Sequence, residues 1–217
     1  MDFIRAKNEK NKQIRMKQIK EAAILLLDSC PYHEITLSKI GSEICFTRAN
    51  LYKYVSSKED IYIRIAGDEI TELLDTLESA FSDHNELDTR EFAQIMASVT
   101  TSHKRFLKLF SLLFSLIEQN TNESALVEFK KCLSAQTDRF INIIKEKLPG
   151  FSNENALRLL DHIFSYMISR YPICYPSKKQ LDAMGKADFN YITPDFEKTF
   201  SDVLVLIING IKLENMQ

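Results

Sequence analysis

Residues 36–60, TLSKIGSEICFTRANLYKYVSSKED, constrain this chain more than any other stretch. Leu37, Ile40 and Ile44 recur at helical spacing and predict a helix of about two turns with one apolar stripe. Cys45 and Phe46 interrupt that pattern. Thr47 is a good N-cap for a second helix, because its hydroxyl can accept a hydrogen bond from a backbone N–H of the first turn. Over residues 48–54 only Leu51 and part of Tyr54 turn inward, which leaves Arg48, Asn50, Tyr52 and Lys53 for the outside. Ser57 caps a third helix, with Glu59 and Asp60 in its first turn, where the macrodipole favours acids. A helix, a tight turn and a short helix with Arg, Asn, Tyr and Lys outward suit an element that enters the major groove of DNA.

This stretch resembles the DNA-binding segment of the TetR family of transcriptional regulators. Thr36, Leu37, Ile40, Thr47, Arg48, Leu51, Tyr52, Tyr54, Lys58 and Glu59 carry the likeness in order and spacing, and residues 18–27 before them match more loosely. It covers roughly the first quarter of the chain. Family members usually have Gly where this chain has Cys45 and a small aliphatic where it has Phe46. The Gly serves a turn with positive φ, where a Cys costs about 1–2 kcal/mol, so a slightly rebuilt turn is expected. The resemblance implies a homodimeric DNA-binding regulator with a ligand-binding second domain.

Only 5 Gly and 5 Pro among 217 residues, and few β-branched runs, predict a nearly all-helical protein. The expected fold is all-α, with an N-terminal three-helix helix-turn-helix domain over 1–56. A C-terminal helical regulatory, ligand-binding and dimerisation domain fills 57–217. The net charge of −2 conceals an asymmetry. Residues 1–60 hold 11 Lys+Arg against 8 Asp+Glu, and the remainder 17 against 22. Positive charge therefore lies beside the reading element, as phosphate binding by one end requires. Residues 1–12 read as a basic arm that could reach phosphates or the minor groove, or simply as a solvated tail.

Helix one is expected over 11–29, stopped by Pro31. A helix over 57–81 buries Ile61, Ile65, Ile70, Leu73, Leu74, Leu77 and Phe81. It begins in the reading head and ends in the second domain, so it is the natural coupling element. After a turn at 82–88, helices follow over 89–101 and 103–119. The latter is apolar over most of its circumference, and such a helix is surrounded by others; it serves as core or as a cavity wall. A helix over 123–148 ends at Pro149-Gly150. The next, 153–170, carries apolar residues on two sides and is expected to stop before Pro172 and Pro176. Residues 171–193 form a long connection with room for a short helix, and 195–211 form the last helix. The spare apolar faces of 154–170 and 195–211 suggest a four-helix dimer interface, the mode the resemblance also implies.

Catalytic and metal-binding signatures are absent. His33, His84, His103 and His162 share no metal spacing with Cys or carboxylates, and no glycine-rich phosphate loop or G-x-S-x-G occurs. No cofactor, metal or enzymatic activity is expected. Cys30, Cys45, Cys132 and Cys174 are widely separated and fit free thiols in a reducing cytoplasm; Cys45 lacks neighbouring cations that would make it a redox switch. No signal peptide is recognised. The longest apolar run, 203–208, falls far short of the ~20 residues needed to span a bilayer.

These readings converge on a transcriptional regulator that binds double-stranded DNA, a repressor released by a small hydrophobic effector. Thr47, Arg48, Ala49, Asn50 and Lys53 are the candidates for base-edge and adjacent contacts, Arg48 suiting guanine and Asn50 adenine. Thr36, Tyr52, Tyr54 and Lys58 are assigned to phosphates. Phe106, Phe110, Phe114, Phe129, Phe140 and Phe164 are the candidate lining of an apolar effector pocket. The alternative is a helical protein-interaction module that kept the reading-head fold.

Overall fold

The computed structural model describes residues 2–214, with side chains from Lys10 onward. The basic side chains expected before Lys10 lie outside the described residues. The elements are α1 (Asp2–Ser29), α2 (Leu37–Glu43), α3 (Arg48–Leu51), α4 (Glu59–Phe81), α5 (Thr89–Ser102), α6 (Lys104–Leu112), α7 (Glu123–Lys147), α8 (Asn153–Cys174), α9 (Lys178–Lys186) and α10 (Phe196–Glu214). No strand occurs among the described residues. The architecture is all-α, a three-helix helix-turn-helix unit followed by a helical C-terminal part.

The chain forms two compact bodies. The first comprises Met1–Asp68 and Leu113–Lys131, the second Glu69–Leu112 and Cys132–Gln217. The sequence boundary at 56/57 falls in the turn before α4, whereas the bodies divide within α4 itself. Both α4 and α7 run unbroken through a division, each beginning in the first body and ending in the second.

In the first body, Ile19, Ala22, Ala23 and Leu27 of α1 are buried, as are Ile40, Leu51, Ile61 and Ile65. Tyr62 closes this core, its hydroxyl donating to the Ala23 carbonyl at 2.9 Å and its ring 5.1 Å from that of Tyr32. Burial pushes both phenols well above their ordinary range, so they stay neutral. Lys20–Asp68 and Arg64–Glu128 ion pairs fasten its periphery.

In the second body, α10 packs on α5 and α8, and α6 on α8. Asp88 and Glu91 close a capping box at the start of α5. Arg139 of α7 bridges Asp75 and Glu78 of α4 at 2.7 and 2.6 Å.

Three local expectations fail. The region 103–119 is not one helix: α6 gives way to a π-helical turn at Leu113–Ile117 and a 3₁₀ turn at Glu118–Asn120. Pro172 does not stop α8 at once: the ring removes the N–H that would reach the carbonyl one turn earlier, yet the helix continues to Cys174 and ends there. Helix α1 begins at Asp2 rather than near residue 11. The short helix allowed for in the 171–193 connection is α9.

Candidate nucleic-acid interface and effector cavity

The N-cap expected at Thr47 is formed, and Thr36 caps α2 in the same way. Thr36 Oγ1 accepts from the Lys39 N–H and Thr47 Oγ1 from the Asn50 N–H, each at 3.2 Å. The turn between them is not rebuilt around Cys45; the residue adopts φ 55° and accepts the left-handed conformation. Tightness comes instead from Gly41, which sequence reasoning missed. The Phe46 N–H donates to the Gly41 carbonyl at 2.8 Å, and a Cβ on Gly41 would lie 2.6 Å from the Phe46 carbonyl oxygen. Only glycine lets α2 and the turn approach so closely.

Arg48, Ala49, Asn50, Tyr52 and Lys53 form one exposed face, with Thr47 at its edge and Leu51 fully buried beneath it. The Arg48 guanidinium is held against Tyr52, its Nε and Nη2 donating to the phenol oxygen at 3.0 and 2.7 Å. Lys53 and Tyr54 share a polar concavity with Asn11, Lys12, Arg15 and Gln18 of α1. The excess of Lys and Arg over residues 1–60 was the signal for this extension of the positive surface. Lys58 has a different position: its ammonium donates to the Tyr32 and Ile35 carbonyls at 2.8 and 2.9 Å and sits 4.2 Å from the Tyr32 ring centroid. Burial lowers its pKa despite the neighbouring Glu59. Two of its three donors are spent inside the head, which turns it away from the phosphate role expected of it.

Asp60 anchors the start of α4. With 1% of its surface exposed, it accepts from the Ser56 and Ser57 N–H groups through Oδ2 at 2.6 and 3.1 Å, while Ser57 Oγ accepts from the Asp60 N–H at 3.1 Å. Its Oδ1 accepts from the Asn122 N–H at 2.8 Å. Burial alone would raise this carboxyl, but the backbone donors of Asn122, Ser56 and Ser57 outweigh it and the net shift is downward.

The second body contains a small apolar cavity of about 30 Å³, room for about one water molecule and far below the range of about 300–1,000 Å³ for ligand pockets. Its walls come from α4 (Ile70, Leu73, Leu74, Leu77), α5 (Met96, Thr100), α6 (Phe106), α7 (Gln136, Thr137, Phe140) and α8 (Leu160, Ile163, Phe164, Met167). No charged side chain lines it.

A family model described as "Tetracyclin repressor-like, C-terminal domain" matches residues 67–215, more than half of the chain. The chain belongs to the TetR family. It is therefore a DNA-binding transcription regulator with a ligand-binding C-terminal domain, and not an enzyme. Solved TetR-family structures share its fold. The fatty acid degradation regulator FadR from Bacillus halodurans superposes with a TM-score of 0.57 at 17% identity, covering 90% of this chain and 95% of its own. FadR from Bacillus subtilis, solved in complex with stearoyl-CoA, gives 0.55 at 18%, covering 89% and 98%. A possible TetR family regulator from Streptomyces coelicolor A3(2) gives 0.58 at 15%, covering 91% and 98%. No curated protein sequence matches.

Within this TetR-family chain, three of the six phenylalanines expected in the pocket line the cavity: Phe106, Phe140 and Phe164. Phe110 stands behind them, 4.2 Å from the Phe106 ring and 5.8 Å from that of Phe164. Phe114 and Phe129 belong to the first body and do not line the cavity. The π-turn is the reason for Phe114. One extra residue in that turn rotates the register, leaving the ring 48% exposed beneath the Lys130 ammonium. The α4 lining belongs to the stripe expected to be buried and the α8 lining to a helix expected to serve both core and dimer partner, while Met96, Thr100, Gln136 and Thr137 carry no such signal in the sequence. No helix among the described residues is long and apolar enough to cross a membrane.

Proposed function

We propose that this TetR-family regulator is a homodimeric, sequence-specific repressor that a small apolar molecule releases from DNA. The observation that carries the DNA half is the exposed face of Arg48, Ala49, Asn50, Tyr52 and Lys53, anchored by buried Leu51 and capped by Thr47. Arg48 reads guanine and Asn50 adenine through paired hydrogen bonds, while Thr36, Tyr52 and Tyr54 take phosphates and fix the register. Dimerisation through α8 and α10 is supported by the large apolar side chains these helices leave exposed, Leu157 on α8 and Leu206 and Leu213 on α10.

The cavity marks the effector site, and a ligand must part its walls to enter. Its walls include α4 and α7, whose first turns are bonded to each other through Asp60 and Asn122. A ligand that displaces the far ends of these two helices alters the frame on which the reading head is mounted. Two heads of a dimer then no longer match major grooves roughly 34–36 Å apart. The effector must bind the DNA-free form better, since an equal affinity for both forms shifts nothing. The stearoyl-CoA complex of the Bacillus subtilis FadR gives a precedent for a ligand with a long apolar chain on this fold.

Footprinting on DNA around the chain's own coding region tests the reading. A protected near-palindrome with two half-sites supports it; uniform, sequence-blind protection refutes it and favours a protein partner instead.

A further inference from the structure

Phe46 stands in the turn of the reading head where family members usually carry a small aliphatic, and it takes no part in the face of residues 48–53. It is half-buried, and two side chains meet its ring. The Arg15 guanidinium of α1 lies 5.4 Å from the ring centroid, and the Tyr54 ring centroid is 6.5 Å away. Arg15 Nη1 also donates to Gln18 Oε1 at 2.8 Å. A guanidinium spreads its charge over a flat surface that stacks on an aromatic ring. Phe46 and Gln18 thus fix a side chain that is otherwise exposed. The result is a concavity lined by Lys12 and Arg15 of α1 together with Lys53 and Tyr54 beyond α3. No carboxylate lines it among the described residues. Lys17 and Lys20 of the same helix differ, since Glu21 and Asp68 face them.

We infer that this concavity is a phosphate cradle. It takes the sugar-phosphate strand of the DNA beside the bases that Arg48 and Asn50 read, and Phe46 is the positioning residue that aims Arg15 into it. This rests on the reading of residues 48–53 as the DNA-contacting face and extends that face onto α1. Three cations gathered without an acid repel one another, and an anion relieves the repulsion. The donors suit a phosphodiester: a guanidinium presents paired N–H groups to two oxygens of one phosphate, while the ammonium groups and the Tyr54 hydroxyl supply single bonds. Lys53 belongs both to the reading face and to the cradle, so the two surfaces are continuous. Lys58, the cation expected to serve a phosphate, is instead spent on the Tyr32 and Ile35 carbonyls. Contacts in the cradle hold the head in register and add affinity that does not depend on base sequence.

Salt titrations of the full chain test this, with a labelled duplex of arbitrary sequence about 30 base pairs long, enough for two half-sites one turn apart. Wild type should lose affinity linearly in log salt. Lys12→Gln/Arg15→Gln should reduce that slope by about 1–2, near 0.9 for each phosphate released. Lys10 and Lys17 share another face of α1 and do not line the concavity. Lys10→Gln/Lys17→Gln removes the same charge and should change the slope by less than about 0.5. Phe46→Leu alters no charge, yet should reduce the slope by up to about 1, and should add nothing in an Arg15→Gln background. All four substituted cations are exposed, so these variants should melt as wild type does. Equal slope changes in the two double variants would mean that α1 acts through net charge alone and would overturn the cradle. A Phe46→Leu effect that persists in the Arg15→Gln background would remove Phe46 as the positioning residue. An unchanged slope in Lys12→Gln/Arg15→Gln beside a salt-dependent wild type overturns the cradle, leaves the reading face standing and makes an acidic protein the better fit for this concavity. A wild type whose affinity ignores salt refutes the reading of the face itself and the cradle with it.

Discussion

Asp60 and Asn122, sixty-two positions apart, are joined by a 2.8 Å hydrogen bond from the Asn122 N–H to Asp60 Oδ1. One carboxylate thereby completes the cap of α4 and holds the first turn of α7, where Asn122 Oδ1 in turn accepts from the Ala125 N–H at 3.0 Å. Asp60→Asn places an amide –NH₂ among backbone donors and leaves at least one of them unpaired. It should cost about 1–3 kcal/mol of stability in urea denaturation. Operator affinity should also fall at temperatures where circular dichroism shows the variant fully folded, because the head is then held less firmly. Unchanged stability would show that the anchor is redundant.

The same carboxyl sets an acid limit. Its pKa lies below the ordinary 3.8 when folded, so its contribution is complete above that ordinary value and is lost as pH falls through the lower folded value. Stability of wild type relative to Asp60→Asn should be constant above about pH 5 and shrink below about pH 4. Parallel urea midpoints from pH 3 to 7 check this.

The turn of the reading head offers a paired test with opposite signs. Gly41→Ala forces a Cβ to within 2.6 Å of a backbone oxygen and should destabilise by about 1–3 kcal/mol, with loss of DNA binding. Cys45→Gly relieves the φ of 55° and should stabilise by up to about 1 kcal/mol, the strain relief being partly offset by glycine's extra chain entropy. Thermal melts of the two variants decide it.

Dimerisation has its own test. Leu206→Glu on α10 places a charge in the proposed apolar interface while exchanging a side chain that is 70% exposed in the single chain. Sedimentation should show monomers, with helical content preserved. A variant that sediments as the wild type would place the dimer contact elsewhere.

The helix-turn-helix was legible because its signals are local: Leu37, Ile40 and Leu51 give the stripe, and Thr36, Thr47 and Ser57 announce the caps. The coarse order of the remaining helices followed from periodicity and from Pro149-Gly150. What was not legible depends on partners distant in sequence or on departures from the α repeat. Phe114 reads as core on a regular helix and is exposed only because the turn at Leu113–Ile117 is π-helical. Lys58 reads as a phosphate ligand until Tyr32 and Ile35 are folded beside it. Thr100, a single hydroxyl in a helix, has no periodic signal; its place in the lining comes from the four other helices that build the cavity around it.

The most direct measurement is operator affinity as a function of salt, by fluorescence anisotropy with wild type, Arg48→Ala and Lys53→Ala. A major-groove regulator predicts a linear fall of log affinity with log salt. Arg48→Ala should lose about 1–3 kcal/mol and discrimination at one guanine position. Lys53→Ala lies at the edge of the groove and should weaken binding with less loss of discrimination. Affinity independent of salt, or binding indifferent both to sequence and to Arg48→Ala, would contradict the account.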